Sequence, residues 1–431
     1  GTDSFVHTVS DGNGGTDTAT VTVTVIEAAA SLEQTFDDPT VTDSDFFSFS
    51  VALDGNNALI GAPRDDTKGR DVGQSHLFNA ATGALLQSFD DPTPTNFDFF
   101  GNSVALDGGN VLIGSPGHTK IVDGKIFEGL GQAHLFDATT GDLLRTFEGP
   151  QLGSGVSFGN DVALDGSNVL IGSSRAPAYL FDATTGALLQ TFNGSNPSSV
   201  NPFGNSVALD GGNVLIGSTT ADDPDGVFVG RAHLFDAATG KVLQTFNDPT
   251  VTDRDFFGGS VALDGGNVLI GARGDDTQGN FNGQAHLFDA TTGSLLQTFD
   301  DPTVVGLSDQ FGFSVALDGR NVLIGAPFDI SGRSGEAHLF DATTGDLLRT
   351  IDNPSGASFG GLFGGSVALD GSSVLIGARN DSTQGDNVGQ AHLFSVNSPG
   401  NGAPLATADS AQTAAGEAVT IDVLANDSDP D

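Results

Sequence analysis

The 431-residue sequence contains no cysteine, methionine or tryptophan. Without cysteine, the chain can form no disulfide, no thiolate metal site and no cysteine nucleophile. No apolar run approaches the roughly 20 residues of a membrane-spanning helix, and no secretory signal pattern opens the chain. We therefore expect no membrane insertion. Because position 1 is not methionine, we also expect the sequence to be a segment of a longer or processed polypeptide.

Basic residues are scarce: 15 lysines and arginines stand against 55 aspartates and glutamates, which gives a net charge of -40. Such a charge makes binding to nucleic acid or anionic lipid unfavourable. We expect cations, a protein, a glycan or copies of the chain itself as partners, and no nucleic acid.

The pentapeptide Val-Ala-Leu-Asp-Gly recurs at intervals of 45 to 58 residues, which indicates one repeat architecture. Each copy is followed by segments such as Val-Leu-Ile-Gly, Ala-His-Leu-Phe-Asp and Leu-Leu-Gln-Thr-Phe, which predict four short strands separated by turns. The Asp-Gly pair suits the positive φ angles of a tight hairpin. The seven copies end at Gly55, Gly108, Gly166, Gly211, Gly265, Gly319 and Gly371.

The second strand of each repeat is continuously apolar, as in 268–271, which indicates burial on both faces. Blades packed around a ring supply that burial. The seventh copy ends at 392–396 without its fourth strand, whereas 32–36 carries an unpaired copy of that strand before the first repeat. We therefore predict an all-β, seven-bladed β-propeller over 28–396, with four-stranded antiparallel blades and an N-terminal strand that closes the last blade.

Two sets of motifs in the repeats resemble motifs of known propeller families. Phe-Gly at 100–101 and 311–312, with Gly-Ser-Pro at 114–116 and Gly-Ala-Pro at 325–327, resembles the FG-GAP repeat of integrin α-subunit heads and bacterial surface proteins. The integrin-type calcium loop is missing between these motifs, so its ligands are not transferred to this chain. Leu-Phe-Asp-Ala-Thr-Thr-Gly resembles quinone-dependent dehydrogenase propellers, but their tryptophan and vicinal cysteines are absent. We expect neither quinone nor haem.

The flanks have another character. Residues 1–27 resemble the end, and residues 408–431 the beginning, of the bacterial cadherin-like or immunoglobulin-like repeats of large surface adhesins, with a linker at 397–407. This resemblance implies partial β-sandwich flanks. Truncation of a tandem array explains both ends. The less favoured alternative is head-to-tail strand complementation between chains, which would build filaments.

In such a blade the long loops share one end of the propeller, and many of them are acidic. Clustered carboxylates are what calcium requires, so these loops are candidate calcium sites. The alternative is that the aspartates cap turns and keep the protein soluble. The candidate ligands are Asp43, Asp45, Asp65, Asp66, Asp71, Asp253, Asp255, Asp275 and Asp276.

Two further patterns have simple explanations. Histidine recurs at one repeat position, and Tyr179 replaces it once; packing explains this better than a metal ring, because equivalent positions in different blades are too far apart to share an ion. Residues 273–275 spell Arg-Gly-Asp in a predicted exposed loop, which we interpret as a coincidence of the repeat. The histidines are His76, His134, His233, His286, His338 and His392.

Every polar residue that could serve as a nucleophile recurs in the repeat, whereas catalysis usually needs an exception to it. We therefore expect a non-enzymatic structural or adhesion module, located outside the cell or at its surface, that binds through its acidic loop face. The alternative is a hydrolase or lyase that acts on polysaccharide, which a close acidic pair in a deep central pocket would favour.

Overall fold

The structure is a computed structural model that describes residues 2–10, 16–24 and 30–396 apart from short internal segments. Those segments are 43, 152, 176, 195–202, 220–228, 253, 278–280, 304–307, 329–333 and 357–359. The chain divides into two compact units, one formed by Gly1–Ser31 with Val396–Asp431 and the other by Leu32–Ser395. In the first unit, β1 (Thr2–Ser10) pairs with β2 (Thr16–Thr24) as an antiparallel hairpin. The predicted C-terminal flank lies outside the described residues.

The second unit is a seven-bladed propeller of four-stranded antiparallel sheets, which confirms the propeller part of the predicted fold class. The four strands of blades one to six follow one another in the sequence. The first three blades contain β4 (Ser50–Asp54), β5 (Asn57–Ala62), β6 (Gln74–Asn79) and β7 (Leu85–Asp90); β8 (Ser103–Asp107), β9 (Asn110–Ser115), β12 (Gln132–Asp137) and β13 (Leu143–Glu148); and β14 (Phe158–Asp165), β15 (Asn168–Ser173), β16 (Ala178–Asp182) and β17 (Leu188–Phe192).

The next three blades repeat this order. They contain β18 (Phe203–Asp210), β19 (Asn213–Ser218), β20 (Arg231–Asp236) and β21 (Val242–Asn247); β22 (Ser260–Asp264), β23 (Asn267–Ala272), β24 (Gln284–Asp289) and β25 (Leu295–Asp300); and β26 (Ser314–Asp318), β27 (Asn321–Ala326), β28 (Glu336–Asp341) and β29 (Leu347–Asp352). An insertion in the second blade folds into a small hairpin of β10 (Lys120–Val122) and β11 (Lys125–Phe127), which the sequence analysis did not predict as strands.

The seventh blade joins both ends of the ring. Its strands are β30 (Phe363–Asp370), β31 (Ser373–Ala378), β32 (Gln390–Ser395) and the N-terminal β3 (Ser31–Asp37), in the order β3-β32-β31-β30. Thr35 Oγ1 lies 3.0 Å from His392 Nδ1, and Gln390 Nε2 donates to Asp37 Oδ1 over 2.6 Å. Phe36 is 1% exposed. The predicted closure by the N-terminal strand is therefore observed.

The core lies between blades. The second strands are buried, and the first strands of neighbouring blades contact one another around the ring. A phenylalanine ring from each Phe-Gly motif packs edge-on against a third-strand phenylalanine, as Phe311 does on Phe340 with centroids 6.0 Å apart. A Cβ on Gly271 would lie 2.1 Å from the carbonyl oxygen of Gly312, so this close approach of two blades requires glycine.

Candidate functional site

At each of two junctions between blades, three buried aspartates lie close together. In the first, Asp38 follows β3, Asp45 precedes the first blade and Asp65 follows β5; we call these residues the first acidic triad. The second acidic triad is Asp248, Asp255 and Asp275, at the same positions of the fifth blade. Within each triad one oxygen from each carboxylate lies within 4.8 Å of the others. All six residues are buried.

Each aspartate of the first acidic triad also caps a turn. Asp38 Oδ1 accepts from the backbone N–H of Thr40 at 2.8 Å, and Asp65 Oδ1 accepts from Thr67 at 2.8 Å. Asp45 accepts from the backbone N–H of Thr42. These local bonds explain why the carboxylates point inward. Turn capping and clustering, which were alternatives at the level of the sequence, are thus two properties of the same residues.

The first acidic triad has fewer donors than acceptors. The Thr40 hydroxyl lies 3.0 Å from Asp38 Oδ1, 2.8 Å from Asp65 Oδ2 and 2.9 Å from Gln74 Oε1, although it carries one proton. Asp38 Oδ2 is buried and accepts no hydrogen bond from the residues that the structure describes. Burial raises the pKa of Asp38 to about 6 and that of Asp45 to about 7.

The second acidic triad repeats this shortage. The Thr250 hydroxyl lies 3.1, 3.0 and 2.8 Å from oxygens of Asp248, Asp275 and Gln284, respectively. Asp248 Oδ2 is buried without a partner among the residues that the structure describes. Burial raises the pKa of Asp248 to about 6 and also raises the pKa of Asp255. A buried carboxylate is neutralised by a proton or by a cation, and carboxylate oxygens are the ligands that a hard cation prefers.

The second blade has different side chains at two of the corresponding positions. His118 replaces the third aspartate, and its Nδ1 lies 3.6 Å from Asp98 Oδ1. Ser115 stands where the first blade has Ala62, and its hydroxyl donates to Asp91 Oδ2 over 2.8 Å. At the seventh blade, the corresponding positions are Asn353, Gly361 and Asp381, which leave one carboxylate. Three carboxylates therefore meet at only two junctions in the described part of the chain.

The nine predicted calcium ligands divide into three groups. Asp45, Asp65, Asp255 and Asp275 lie in the triads. Asp66 and Asp276 are exposed, and Asp71 lies 3.9 Å from Arg64 and 3.7 Å from Arg70. Asp43 and Asp253 lie outside the described residues. The prediction omitted Asp38 and Asp248, although the Asp-Pro-Thr sequence that both begin recurs in the chain and could have identified them.

The six recurrent histidines are buried side chains of separate blades. His286 Nδ1 lies 3.1 Å from Thr298 Oγ1 in the neighbouring strand, and its Nε2 lies 3.8 Å from Asp248 Oδ1. Burial lowers the pKa of His286 to about 4, so the ring is neutral at pH 7. One prediction was wrong: residues 273–275 do not form an exposed tripeptide, because Asp275 is 1% exposed.

A central cavity of about 460 Å³ opens where the first strands begin. Asp161 is the one carboxylate among the described residues that line it. Its oxygens accept from the backbone N–H groups of Val207 and Val162 and from the Ser103 hydroxyl, at 2.7, 3.1 and 2.9 Å. Burial raises the pKa of Asp161 to about 6. No pair of carboxylates faces this cavity from the described residues.

Comparisons with known proteins place these features in context. Residues 37–78, 249–288, 305–340 and 353–394 match the family model of the FG-GAP repeat. A comparison with curated proteins gives no match. In structure, the chain is similar to the computationally designed Ika8 protein, with a TM-score of 0.50 and 15% sequence identity, over 84% of this chain and 99% of that one. At this identity the similarity concerns the fold alone. None of the described residues forms a helix long and apolar enough to cross a membrane.

Proposed function

We propose that the chain is a non-enzymatic binding module of a large extracellular or cell-surface protein. It contacts a protein, a glycan or a neighbouring copy through the end of the propeller that carries the long loops. The observation that carries this proposal is the hydrogen bonding of Asp161: the single described carboxylate of the central cavity is occupied by three donors from the protein. The described residues of the cavity therefore present no second carboxylate with which Asp161 could form an acid–base pair for hydrolysis. The FG-GAP repeats support the same function.

The test is to apply the purified chain to arrays of neutral and acidic polysaccharides and surface proteins while the release of reducing sugar is measured. We expect retention on at least one ligand without cleavage. Release of new reducing ends would instead favour the hydrolase or lyase alternative. Retention on none of the ligands would contradict the binding function.

We also propose that each acidic triad binds one calcium ion. Three carboxylates and the threonine and glutamine oxygens beside them supply the hard ligands that calcium prefers, and the buried oxygens of Asp38 and Asp248 lack other partners. Because each triad joins loops around a blade junction, a bound ion would fix the loop end of the propeller. Thermal unfolding with calcium and with a chelator tests this: we expect a higher melting temperature in calcium, and equal temperatures would contradict the sites.

Assembly into filaments by strand complementation is a further proposal. The hairpin of β1 and β2 supports it, because a pair of strands with open edges can add to an incomplete sheet of another chain. Electron microscopy of the chain tests it: filaments that disappear when residues 1–27 are removed are expected. Isolated rings at high protein concentration would favour truncation of a tandem array.

A further inference from the structure

The loop end of the central channel is lined by a ring of seven equivalent residues. Each one follows the Phe-Gly motif or its equivalent and precedes the first strand or lies near its start. Three neighbouring blades present asparagine, two present phenylalanine and two present glycine. In blade order the residues are Phe49, Asn102, Asn160, Asn205, Gly259, Phe313 and Gly365. The ring therefore has one amide side and one side of a different character.

Arginine accompanies glycine in this ring. The fifth blade combines Gly259 with Arg273, and the seventh combines Gly365 with Arg379; both arginines directly follow the second strand. The other blades have proline, serine or threonine at that position. These residues are Pro63, Pro116, Ser174, Thr219 and Pro327. The two blades without a ring side chain thus supply a guanidinium group instead.

The two arginines share one aromatic ring. The guanidinium carbon of Arg273 lies 5.1 Å from the centroid of Phe313, and that of Arg379 lies 5.6 Å from the same centroid. Arg379 also lies 4.9 Å from the centroid of Phe49, and Arg273 lies 5.3 Å from that of Phe256. Contacts with aromatic faces hold each guanidinium in place without using its N–H donors.

Neither arginine has an acidic partner among the residues that the structure describes. No carboxylate among the described residues lies within 4 Å of Arg273 or Arg379, although the chain contains 55 acidic residues. Burial lowers the pKa of Arg379, and repulsion from Arg273 and Arg64 lowers it further. Two half-buried guanidinium groups that repel one another are unfavourable unless a bound anion offsets their charge. Their free N–H groups can bind a carboxylate in two-pronged fashion.

The opposite side of the ring offers neutral polar groups. Asn102 Nδ2 donates to the carbonyl of Asn160 over 2.9 Å, and Asn160 Nδ2 lies 3.2 Å from Asn205 Oδ1. These bonds fix the amides in a row along the cavity wall. Fixed amides suit the hydroxyl groups of a sugar, whereas the arginines suit an acid group. The cavity of about 460 Å³ is within the size range of small-ligand sites.

We infer that the channel mouth binds a uronate residue of an acidic polysaccharide, with its carboxylate on Arg379 beside Arg273 and its hydroxyl groups along Asn102 and Asn160. This inference rests on the proposed binding function and names the ligand class of its loop end. A free carboxylic acid has no hydroxyl groups to place along the row of amides, and an acidic peptide offers none of a sugar's vicinal hydroxyls, so either ligand would use the arginines alone. The charge of the loops limits binding to a short anionic segment.

Calorimetric titration with trigalacturonate and maltotriose in calcium-free buffer tests the site. We expect trigalacturonate to bind at least about tenfold more tightly than the neutral sugar, since hydrogen bonds between charged groups are worth that much. R379Q is expected to weaken trigalacturonate binding by about tenfold or more, and R273Q by less, because Arg379 lines the cavity. R379K keeps the positive charge but cannot bind a carboxylate through two parallel N–H groups, so an intermediate loss of affinity is expected.

The matched control is R70Q. Arg70 also stacks on a phenylalanine, at 4.9 Å from the centroid of Phe97, but it lies 3.7 Å from Asp71. Its loss is expected to leave trigalacturonate binding unchanged, and thermal unfolding of each variant verifies the fold. Equal binding by R379Q and the wild type overturns the inference. Tighter binding of a hexaglutamate peptide than of trigalacturonate also overturns it. Failure of trigalacturonate to bind, with retention of another ligand elsewhere on the loops, would overturn the site but leave the proposed binding function intact.

Discussion

The hydroxyl of Ser115 donates a hydrogen bond of 2.8 Å to Asp91 Oδ2, in the second blade. The first and fifth blades have alanine at this position, and there the equivalent oxygens of Asp38 and Asp248 have no hydrogen-bond partner among the residues that the structure describes. The second blade therefore supplies its own donor to this oxygen, whereas under the proposed calcium binding the first and fifth blades would neutralise it with a bound cation.

Serine at the two alanine positions is expected to replace the cation in part. The double variant A62S/A272S supplies a hydroxyl to each unpartnered oxygen, so without calcium the free energy of unfolding is expected to rise by about 1 kcal/mol per site. The stabilisation by calcium is expected to shrink. Urea unfolding with and without calcium measures both. A378S is the control, because Asn353 stands there instead of an aspartate. A larger calcium effect in A62S/A272S would contradict the open-junction explanation.

Removal of one carboxylate from each triad is expected to abolish calcium binding. In D65N/D275N only two carboxylates remain at each junction, and the calcium-dependent rise in melting temperature is expected to disappear. In the wild type, calcium at 100 times its Kd is expected to stabilise the fold by about 2.7 kcal/mol per site. Scanning calorimetry measures the rise. The control D66N/D276N changes exposed neighbours and is expected to behave as the wild type. A full calcium response in D65N/D275N would place the ions elsewhere.

Acid is expected to destabilise the blades through their buried histidines. Burial lowers the pKa of His233 from 6.5 to about 4. Between these values the unfolded chain binds a proton that the folded chain does not, so stability present above pH 6.5 is lost as the pH falls toward 4. The variant H233Y copies Tyr179, which the third blade has at the same position. The difference in free energy of unfolding between H233Y and the wild type is expected to be about 2 kcal/mol more favourable to H233Y at pH 5 than at pH 7.5. Denaturant unfolding at the two pH values measures this, and an identical difference at both would exclude the mechanism.

Closure of the ring is expected to depend on Phe36. F36A removes a ring that is 1% exposed between the first and last blades, and a loss of about 3 to 5 kcal/mol is expected. Leu32 in the same strand is 45% exposed, so L32A is expected to change stability by about 0.5 kcal/mol or less. Urea midpoints compare the two. Equal effects would show that β3 contributes little to closure.

The blades were predictable because their signals are local. Apolar runs such as 268–271 and the Asp-Gly turns define strands and hairpins within about ten residues, and the missing fourth strand of the last repeat identified β3 by counting. The triads were only half predictable. Asp45 and Asp65 were recognised as acidic loop residues, but Asp38 joins them only because the fold brings the segment after β3 against the end of β5.

The paired arginines were not predicted. Arg273 attracted attention as part of a short tripeptide, whereas its relevant partner, Arg379, lies two blades further along the chain. The sequence did contain a signal, because the fifth and seventh repeats differ from the others at two positions. Both have glycine near the start of the first strand and arginine directly after the second strand. The signal becomes meaningful only once the structure shows that both arginines contact Phe313 of the blade between them. Sequence spacing alone cannot show which side chains of separate repeats share a contact.

The pairing of β3 with β32 also sets an order of events during synthesis. Thr35 is made early, yet its partner His392 is 357 residues away and is made late. Until then β3 has no neighbour in its own blade, and the first blade has no seventh blade to cover its open side. Contacts between such distant residues form slowly, and exposed strands favour wrong pairing in the meantime. A ring closed in this way completes its folding only when its last blade has been made, so β3 has no partner in its own blade for nearly the whole time that the propeller is being translated.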